Sequence, residues 1–283
     1  MKILDSHVHF WDPGALRYPW IEKGSPFDRT YAPEDYRRAA GNMPDADIIF
    51  IEADADSSCA LREARWAHGL ASGSLGIRGI VARVPLTENP ALLADLDTIA
   101  SMPLVKGLRD NIQGHAAGFC TQAAFVRGVQ EAGRRGLHFE ICGKHHQLEE
   151  ILSLARRCPG VSLVLDHCAK PDIRHAVREP WLSQIRRLAT LPNVVCKISG
   201  LATEADWARW QPEDLLWYAR QAADAFGPER ILFGSDWPVC EVAGGFAKWL
   251  AVAGALADSW SLGEREGFFF RNAERVYRLG KAP

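Results

Sequence analysis

Short β-rich runs alternate with segments of helical periodicity along most of this 283-residue chain. Each run is rich in Val, Ile, Leu or Phe and is bounded by Gly, Pro, Asp or Asn, as strands usually are. Eight strands with intervening helices predict an α/β fold, the (β/α)8 TIM barrel, which commonly reaches about 250 residues in one unit. The predicted strands cover residues 2–10, 47–53, 76–86, 104–110, 137–143, 161–167, 193–200 and 231–237.

The helical segments and the loops favour one barrel over two smaller units. Residues 121–135 repeat apolar side chains on one face, and residues 212–226 begin with Pro212 and end before a Gly-Pro pair. No linker or repeat interrupts the pattern, so residues 1–283 are predicted to form a single domain with a long first loop, 11–31. The alternative is a doubly wound open sheet, which usually carries a glycine-rich phosphate turn after its first strand. The run WDPGALRYPW at that place is no such turn.

The composition is that of an ordinary globular protein and argues against several function classes. Hydrophobic residues make up 47% of the chain, and the net charge of −2 shows no basic stripe, so no nucleic-acid partner is expected. No apolar run approaches the roughly 18 residues of a membrane helix. Polar residues occupy the place of a signal-peptide core, and Cys142, Cys168 and Cys196 lie in strand-like runs, as buried reduced thiols do. A cytoplasmic location is therefore predicted, while the oligomeric state stays open.

Chemically capable side chains gather at the predicted carboxyl ends of the strands, where the site of a (β/α)8 barrel lies. Strand 1 carries Asp5, His7 and His9, which the two-residue period of a strand places on one side. Strand 6 ends at His167 and strand 8 ends at Asp236. A single strand histidine is usually a packing residue, but three histidines and a carboxylate together are costly to bury without a function. The sequence therefore predicts one site built from strands 1, 6 and 8.

Two chemistries fit this set of residues. In one, the imidazoles and the carboxylate bind a zinc-like divalent ion that activates water. In the other, no metal takes part: the imidazoles donate hydrogen bonds to a carbonyl oxygen, and Asp236 takes a proton from water. If a metal binds, its predicted ligands are His7, His9, His167 and Asp236. Spacing alone favours zinc.

Five stretches of the sequence resemble one family. The stretches DSHVHFWDP, LVLDHCAKPDI, NVVCKISGL, RILFGSDWPVC and NAERVYRL are similar to the lactonase branch of the amidohydrolase superfamily, and they follow the family's order. That branch hydrolyses sugar lactones, such as those of fuconate, rhamnonate and galactonate, and dicarboxylate lactones, such as pyrone dicarboxylate and sulfomuconolactone. The resemblance implies a (β/α)8 barrel that opens a small lactone, foremost a sugar lactone, to the free hydroxy acid.

The resemblance also implies roles for the four residues of the predicted site. Asp236 would be the general base, and His7, His9 and His167 would polarise the lactone carbonyl. Lactonase members of the superfamily include enzymes that work without a divalent ion. The resemblance therefore implies that no cofactor is required, although a metal can occupy the same side chains.

Two further positions gain a role from the resemblance, and one departs from it. Arg109, in GLRDNI, would hold substrate, and His146, in KHHQL, occupies a family-like position after strand 5. Many relatives carry histidine where Asp110 stands, so no role is carried over onto Asp110. The sequence leaves the role of Lys170 open, and pairing with a carboxylate is one interpretation of it.

A sugar lactone presents several hydroxyls and one apolar face, so its pocket needs convergent polar groups and aromatic walls. Trp11, Trp20 and Trp237 lie on or beside the predicted site loops, and Glu140 and Lys197 share an inward parity with the ends of their strands. We therefore predict substrate contacts for the three tryptophans and Glu140, in addition to Arg109 and His146. The role of Lys197 is not defined by the sequence.

Three other functions compete with sugar-lactone hydrolysis. The first is hydrolysis of a dicarboxylate lactone. The second is a zinc-dependent decarboxylase, because a sister branch of the superfamily also begins with HxH; such relatives tend to supply a further histidine near the end of strand 5, where this chain has Glu140 and Cys142. The third is a catalytically inactive barrel that only binds, which the intact set of three histidines and one aspartate argues against.

Overall fold

The eight predicted strands form one parallel sheet that curls into a barrel. The computed structural model describes residues 2–41, 47–73, 75–87 and 89–280. Each strand pairs in parallel with the next one along the chain. The strands are β1 Leu4–Val8, β2 Asp47–Ile51, β3 Gly76–Arg83, β4 Val105–Arg109, β5 His138–Ile141, β6 Leu163–Leu165, β7 Val194–Ile198 and β8 Ile231–Phe233. This arrangement confirms the predicted TIM-barrel class.

Hydrogen bonds at the carboxyl ends of β1 and β8 close the barrel. The N–H of His9 donates to the carbonyl of Trp237 at 2.8 Å, and the N–H of Asp236 donates to the carbonyl of His7 at 2.9 Å. Val8 and Trp237 form a parallel bridge at the same place. The first and last strands therefore end side by side, although nearly the whole chain separates them.

Helices follow the strands and cover the outside of the barrel. The helices are α1 Pro33–Ala40, α2 Ala60–Leu70, α3 Leu92–Ala100, α4 Ala123–Arg134, α5 Leu148–Arg157, α6 Trp181–Ala189, α7 Pro212–Phe226, α8 Gly245–Ala257, α9 Leu262–Glu266 and α10 Asn272–Val276. The predicted segments 121–135 and 212–226 correspond to α4 and α7. Gly227 ends α7 with a φ of 76°, a conformation that glycine adopts without strain.

Alternate residues of each strand supply two apolar layers. Ile48 and Phe50 belong to the larger layer between sheet and helices, whereas Ile49 and Ile51 belong to a smaller cluster inside the barrel. The inner cluster consists of Leu4, Ile49, Ile51, Val81, Val164, Val195, Leu232, Ala273, Val276 and Tyr277. Other interior positions carry buried charges instead, namely Glu52, Arg109, Glu140 and Lys197. These charged side chains identify the part of the barrel interior that lies next to the candidate site.

The predicted strands 6 and 8 extend further at their carboxyl ends than the observed β6 and β8. The β6 strand ends at Leu165 and β8 ends at Phe233, so His167 and Asp236 lie in the turns that follow. Both residues have a left-handed backbone, with φ of 53° and 61°. An extended strand does not contain such angles, so the alternating pattern could not place these side chains.

The described parts of the chain contain no helix with the length and apolar content needed to span a bilayer. All seven cysteines are free and buried, as predicted for Cys142, Cys168 and Cys196. Cys168 lies in the turn after β6 rather than in the strand.

Gly107 of β4 occupies a position where no larger residue fits. A Cβ atom there would lie 2.2 Å from Nε2 of His138, whose ring is buried in the barrel. We expect Gly107→Ala to lower the free energy of unfolding by roughly 1–3 kcal/mol, because a buried ring has to move. Urea denaturation measures this change.

Gly254→Ala is the matched control, since a Cβ on Gly254 of α8 meets nothing within 4 Å. We expect that variant to be unchanged or more stable by about 0.5–1 kcal/mol, the difference in helix propensity. Equal denaturation midpoints for Gly107→Ala and the wild type would contradict the close packing of β4 against β5.

Candidate active site

The four side chains predicted to meet lie together at the carboxyl end of the barrel. Nε2 of His7 lies 3.1 Å from Nε2 of His9. Oδ1 of Asp236 lies 3.7 Å from Nε2 of His7, 3.6 Å from Nε2 of His9 and 3.9 Å from Nε2 of His167. All four residues are buried. One carboxylate oxygen therefore faces three imidazoles.

Two glycines leave the space that these side chains need. A Cβ atom on Gly200, which has a φ of 59°, would lie 2.5 Å from Nδ1 of His167 and 2.8 Å from Oδ2 of Asp236. A Cβ atom on Gly234 would lie 2.7 Å from Cβ of His7. The loops after β7 and β8 can thus approach the site closely only because they carry glycine.

Asp5 does not join the site, which corrects the expectation that it shares a side with His7 and His9. Its Oδ2 accepts a hydrogen bond from the Tyr36 hydroxyl at 3.0 Å, and its Oδ1 accepts from the backbone N–H groups of His7 and Ser235. The register of β1 against β2 shifts between Asp5 and Val8, so the two-residue period is interrupted there. Asp5 holds the loop after β8 against β1 instead.

Burial and the neighbouring charges set the protonation of the site. Burial lowers the pKa of His7 well below its usual range, and it lowers the pKa of His167 to about 4. Burial acts to raise the pKa of Asp236, but the three histidines, His167 foremost, lower the pKa by more than burial raises it. The pKa of Asp236 therefore lies below the usual range. At neutral pH the site therefore holds an ionised carboxylate beside neutral His7 and His167.

Hydrogen-bond partners define which nitrogen carries the proton on His9, and on His167 they tie it to the orientation of a serine hydroxyl. Nδ1 of His9 lies 2.9 Å from the carbonyl of Ile51, which can only accept, so Nδ1 carries the proton and Nε2 of neutral His9 has a lone pair. Nδ1 of His167 lies 2.8 Å from Oγ of Ser199. When that hydroxyl donates, Nε2 of His167 carries the proton. The predicted polarising role thus fits neutral His167, but it fits His9 only when His9 is protonated.

Arg109 lies beside the histidines and is held by two carboxylates. Its Nε pairs with Oε1 of Glu52, its Nη2 donates to the Glu52 carbonyl at 2.6 Å, and its Nη1 lies 3.3 Å from Oδ2 of Asp166. The same Nη1 lies 3.5 Å from Nε2 of His7. Arg109 is therefore both an ion-paired residue of the interior and a neighbour of the reacting groups.

A cavity of 210 Å³ opens above these residues. Trp11 and Trp20, from the long first loop, form an aromatic wall with their rings 5.2 Å apart. Their indole N–H groups are anchored to the carbonyls of Phe27 and Ala53. The remaining lining residues are His9, Ala53, Asp54, Arg109, Asn111, Gln113, Cys142, His167, Lys170, Asp236 and Val239. The cavity thus combines an apolar wall with many hydrogen-bonding groups, two cations and two carboxylates.

Three residues predicted to contact substrate lie outside the lining of this cavity. Glu140 is fully buried and held by Lys197, and Trp237 is 1% exposed among other aromatic rings. His146 is exposed on the turn after β5, next to His145. Their contact with a bound substrate stays a prediction. His7 is also enclosed, so among the predicted catalytic groups His9, His167 and Asp236 face the cavity.

Lys170 and Asp110, whose roles the sequence leaves open, have defined partners. Nζ of Lys170 donates to Oε1 of Gln113 at 2.7 Å and lies 3.8 Å from Oε1 of Glu204, which agrees with pairing to a carboxylate. Oδ2 of Asp110 accepts from the backbone N–H of Leu86 at 3.0 Å. Lys170 lines the cavity, whereas Asp110 does not.

Sequence reasoning missed several residues of the site. Glu52 and Asp54 follow β2, and Asn111 and Gln113 follow β4, so the rule that sites lie at the carboxyl ends of strands could have found all four. Asp166 was harder to find. It precedes His167 directly, and strand alternation would send the two side chains to opposite sides. The turn that begins after Leu165 brings both toward His7 instead.

The residues present fit a divalent metal. Ligand atoms of His7, His9 and Asp236 lie within 4.8 Å of one another, and His7, Asp166 and His167 form a second such group. Imidazole nitrogens with a carboxylate oxygen form a donor set that suits zinc. The four predicted ligands therefore do not form one group. His7, His9 and Asp236 lie in one group, whereas His167 lies with His7 and Asp166 in the other.

Comparison with known proteins gives a consistent result. A family model described as Amidohydrolase matches residues 4–279. An L-fucono-1,5-lactonase from Burkholderia multivorans is 32% identical over 289 residues, which is 98% of this chain and 96% of the relative. An L-rhamnono-gamma-lactonase from Scheffersomyces stipitis is 24% identical over 98% of this chain and 99% of the relative. A crystal structure of an amidohydrolase from Burkholderia multivorans with bound zinc superposes with a TM-score of 0.87 at 30% identity, covering 99% of this chain and 100% of that chain.

The contacts of Arg109 predict a structural effect of Arg109→Lys. Lysine has one nitrogen and cannot serve Glu52 and Asp166 as the three guanidinium nitrogens do. We expect the free energy of unfolding to fall by roughly 1–3 kcal/mol, since buried acceptors lose their donors. Denaturant unfolding and substrate kinetics should be measured together, because Arg109 also lines the cavity.

Arg209→Lys is the control for this experiment. Arg209 pairs with Asp206 on the surface, its side chain is 83% exposed, and exchanging it should change stability by no more than about 0.5 kcal/mol. A change in KM for Arg109→Lys with wild-type stability would show that the ion pairs of Arg109 contribute little to the fold.

Proposed function

Because the chain belongs to the amidohydrolase family, we propose that it hydrolyses a sugar lactone to the corresponding hydroxy acid. The observation that carries this proposal is the position of Asp236. Its carboxylate is ionised, faces the cavity and lies beside neutral His7 and His167, an arrangement that fits a general base for water.

The reaction proposed here uses the chain's own residues. Asp236 takes a proton from a water molecule, whose oxygen attacks the lactone carbonyl. Arg109 and Nε2–H of His167 stabilise the negative charge that develops on the carbonyl oxygen. The carbonyl carbon then releases the ring oxygen, which receives the proton from Asp236. His7 and His9 pack beside the carboxylate, 3.6–3.7 Å from its Oδ1, and limit the access of bulk water to it.

The charges of the cavity favour a neutral sugar lactone over a dicarboxylate lactone. Each cation of the lining already has anionic or polar partners: Arg109 pairs with Glu52 and Asp166, and Lys170 with Gln113 and Glu204. Asp54 and Asp236 add negative charge. Among the described residues of the lining, a substrate carboxylate would meet no unpaired cation. Ring hydroxyls, by contrast, can bind Asp54, Asn111 and Gln113, and the apolar face of the ring can pack on Trp11 and Trp20.

The zinc-dependent decarboxylase is less well supported. The side chain that lines the cavity after β5 is Cys142, and His145 instead binds the carbonyl of Lys170 at 3.0 Å. Among the described residues of this loop, no histidine lines the cavity.

A panel of lactones tests the proposed function. We expect acid release from five- and six-membered sugar lactones, measured with a pH indicator, and no CO2 release from aromatic acids. The Asp236→Asn variant should lose about 10²- to 10⁴-fold in kcat, because the base is gone while the shape is kept. Asp54→Asn is the matched control: it also removes a carboxylate of the lining, and it should raise KM with little change in kcat.

An Asp236→Asn variant with more than half of the wild-type kcat would refute the general-base role. A clear preference for a dicarboxylate lactone would refute the sugar-lactone assignment.

We also propose that the site tolerates a metal but does not need one. Bound zinc would be held by His7, His9 and Asp236 and would supply Lewis-acid polarisation of the carbonyl. Hydrogen-bond donors and one carboxylate can suffice for an ester of a ring lactone. After chelator dialysis to less than about a tenth of a metal ion per chain, confirmed by elemental analysis, we expect near-full activity. Activity that disappears with the metal and returns with zinc would refute this proposal.

A further inference from the structure

Two oppositely charged side chains lie against the same nitrogen of His7, behind the residues that line the cavity. Nζ of Lys197 lies 3.2 Å from Nδ1 of His7, and Oδ1 of Asp166 lies 3.4 Å from it. All three side chains are fully buried. A cation here requires Nδ1 to accept a hydrogen bond, whereas a carboxylate requires Nδ1 to donate one. Lys197 and Asp166 therefore favour opposite tautomers of neutral His7.

The surroundings of Lys197 keep it a donor. Its Nζ donates to Oε2 of Glu140 at 2.5 Å and lies 3.3 Å from Oδ1 of Asp166. Nζ of Lys197 thus donates to one carboxylate and contacts a second, and a lysine ammonium has no lone pair to accept a proton from His7. The contact of Lys197 with His7 thus places the lone pair of His7 on Nδ1 and the proton on Nε2.

The contact between His7 and His9 supports the same tautomer independently. Nδ1 of His9 must donate to the carbonyl of Ile51, so Nε2 of neutral His9 can only accept. Nε2 of His7 lies 3.1 Å from that acceptor, and only a proton on Nε2 of His7 makes this a hydrogen bond. Nη1 of Arg109, which can only donate, favours the opposite tautomer, but it lies farther from Nε2 of His7, at 3.5 Å. Donation therefore runs in one direction, from Lys197 through His7 to His9 and on to Ile51.

The Nδ1-protonated tautomer of His7 also has a possible hydrogen-bond partner, Oδ1 of Asp166. Oδ1 of Asp166 is buried and makes no hydrogen bond to any part of the chain that the structure describes. Nζ of Lys197 lies 3.3 Å from this oxygen as an ion-pair partner but makes no hydrogen bond to it, and a buried carboxylate oxygen without a hydrogen bond is unfavourable. If the proton of His7 moved to Nδ1, that N–H would have Oδ1 of Asp166 as its acceptor, and Nε2 would present a lone pair toward His9 and Asp236.

We propose that Lys197 is a positioning residue that holds His7 in the Nε2-protonated tautomer, and that the balance between Lys197 and Asp166 decides whether the site works with hydrogen bonds or binds a metal. His9 is already in the tautomer that a metal needs, because its Nε2 is unprotonated. His7 is not, because an N–H cannot be a ligand. Lys197 thus prevents Nε2 of His7 from joining His9 and Asp236 as the third metal ligand.

The consequence for zinc follows from the distances. Once the proton of His7 lies on Nδ1, two lone pairs face each other across 3.1 Å between His7 and His9, with the Asp236 carboxylate 3.6–3.7 Å from both. That arrangement is unfavourable without a cation and favourable with one. Outer partners of a ligating histidine commonly change metal affinity about 10- to 100-fold.

The tautomer and zinc affinity are properties of the protein without substrate, so they stand apart from the proposed function. Only the effect on lactone turnover rests on it. A failure of lactone hydrolysis would leave the inference about His7 intact, and a failure of the inference would leave the function intact.

The first measurement is the tautomer itself. In metal-free protein labelled with ¹⁵N-histidine, long-range ¹H–¹⁵N spectra distinguish a protonated Nε2 from a protonated Nδ1, and a His7→Gln spectrum assigns the signals of residue 7. We expect His7 to carry its proton on Nε2 in the wild type and on Nδ1 in Lys197→Met. A proton on Nδ1 in the wild type, or no change in Lys197→Met, would overturn the proposal.

The second measurement is the dissociation constant of zinc alone. We expect Lys197→Met to bind zinc about 10- to 100-fold more tightly and Asp166→Asn to bind it more weakly by a similar factor. Lys170→Met is the control, since it also removes a positive charge near the site, there from a side chain that is 17% exposed, and Lys170 does not contact His7. An equal gain in affinity for Lys170→Met and Lys197→Met would show a simple charge effect and would overturn the proposal.

Loss of Lys197 leaves Glu140 buried without its cation, so Lys197→Met can lose stability. The double variant Lys197→Met/Glu140→Gln removes the pair as a neutral unit, and Oε1 at position 140 can still accept from the Tyr277 hydroxyl, 2.6 Å away. It should show the same change of tautomer and of zinc affinity, whereas Glu140→Gln alone should keep the wild-type tautomer. A double variant that folds with the wild-type tautomer would likewise overturn the proposal.

Discussion

The backbone hydrogen bonds that join β1 to the segment after β8 are the constraint on which the rest of the site depends. They fix His7 and His9 against Asp236 and Trp237, two segments at opposite ends of the chain. A β-barrel closes only when the last strand reaches the first, so no partly formed barrel brings the carboxylate to the imidazoles. Catalytic geometry is thus a property of the complete fold, and loss of closure separates the base from its neighbours at once.

Beneath these hydrogen bonds lies a group of buried charges in which every member contacts at least one opposite charge. Arg109 and Lys197 each contact Asp166, while Glu52 pairs with Arg109 and Glu140 pairs with Lys197. In an interior of low dielectric, each member is tolerable because its partners are present, and removing one leaves the others without compensation. The ionised Asp236 lies above this network, and its pKa is lowered by the neighbouring histidines, His167 foremost, rather than by the cations of the network.

The sequence predicted the barrel well because its signals are local and repeated eight times. The residues His7, His9, His167 and Asp236 followed from one topological rule about strand ends, and the structure brings all four together. The misses have physical reasons. Asp5 was misplaced because a register shift in β1 breaks the two-residue period. Hydrogen-bond direction, which separates the roles of the histidines, depends on the carbonyl of Ile51, and no pattern in the sequence encodes that contact.

The turn after β6 carries four consecutive residues with left-handed backbones, from His167 to Lys170, and none of them is glycine. Each such residue costs roughly 1–3 kcal/mol when it is not glycine, so the turn holds conformational strain that the surrounding barrel must outweigh. The strained residues of the turn fall into two groups, according to where their side chains lie. His167 and Lys170 line the cavity, so their side chains are needed there, whereas Cys168 and Ala169 turn theirs into the packed core. For protein engineering, an exchange to glycine at Cys168 or Ala169 would relieve backbone strain without removing a side chain from the cavity. The same exchange at His167 or Lys170 would relieve strain but would remove a side chain that lines the cavity.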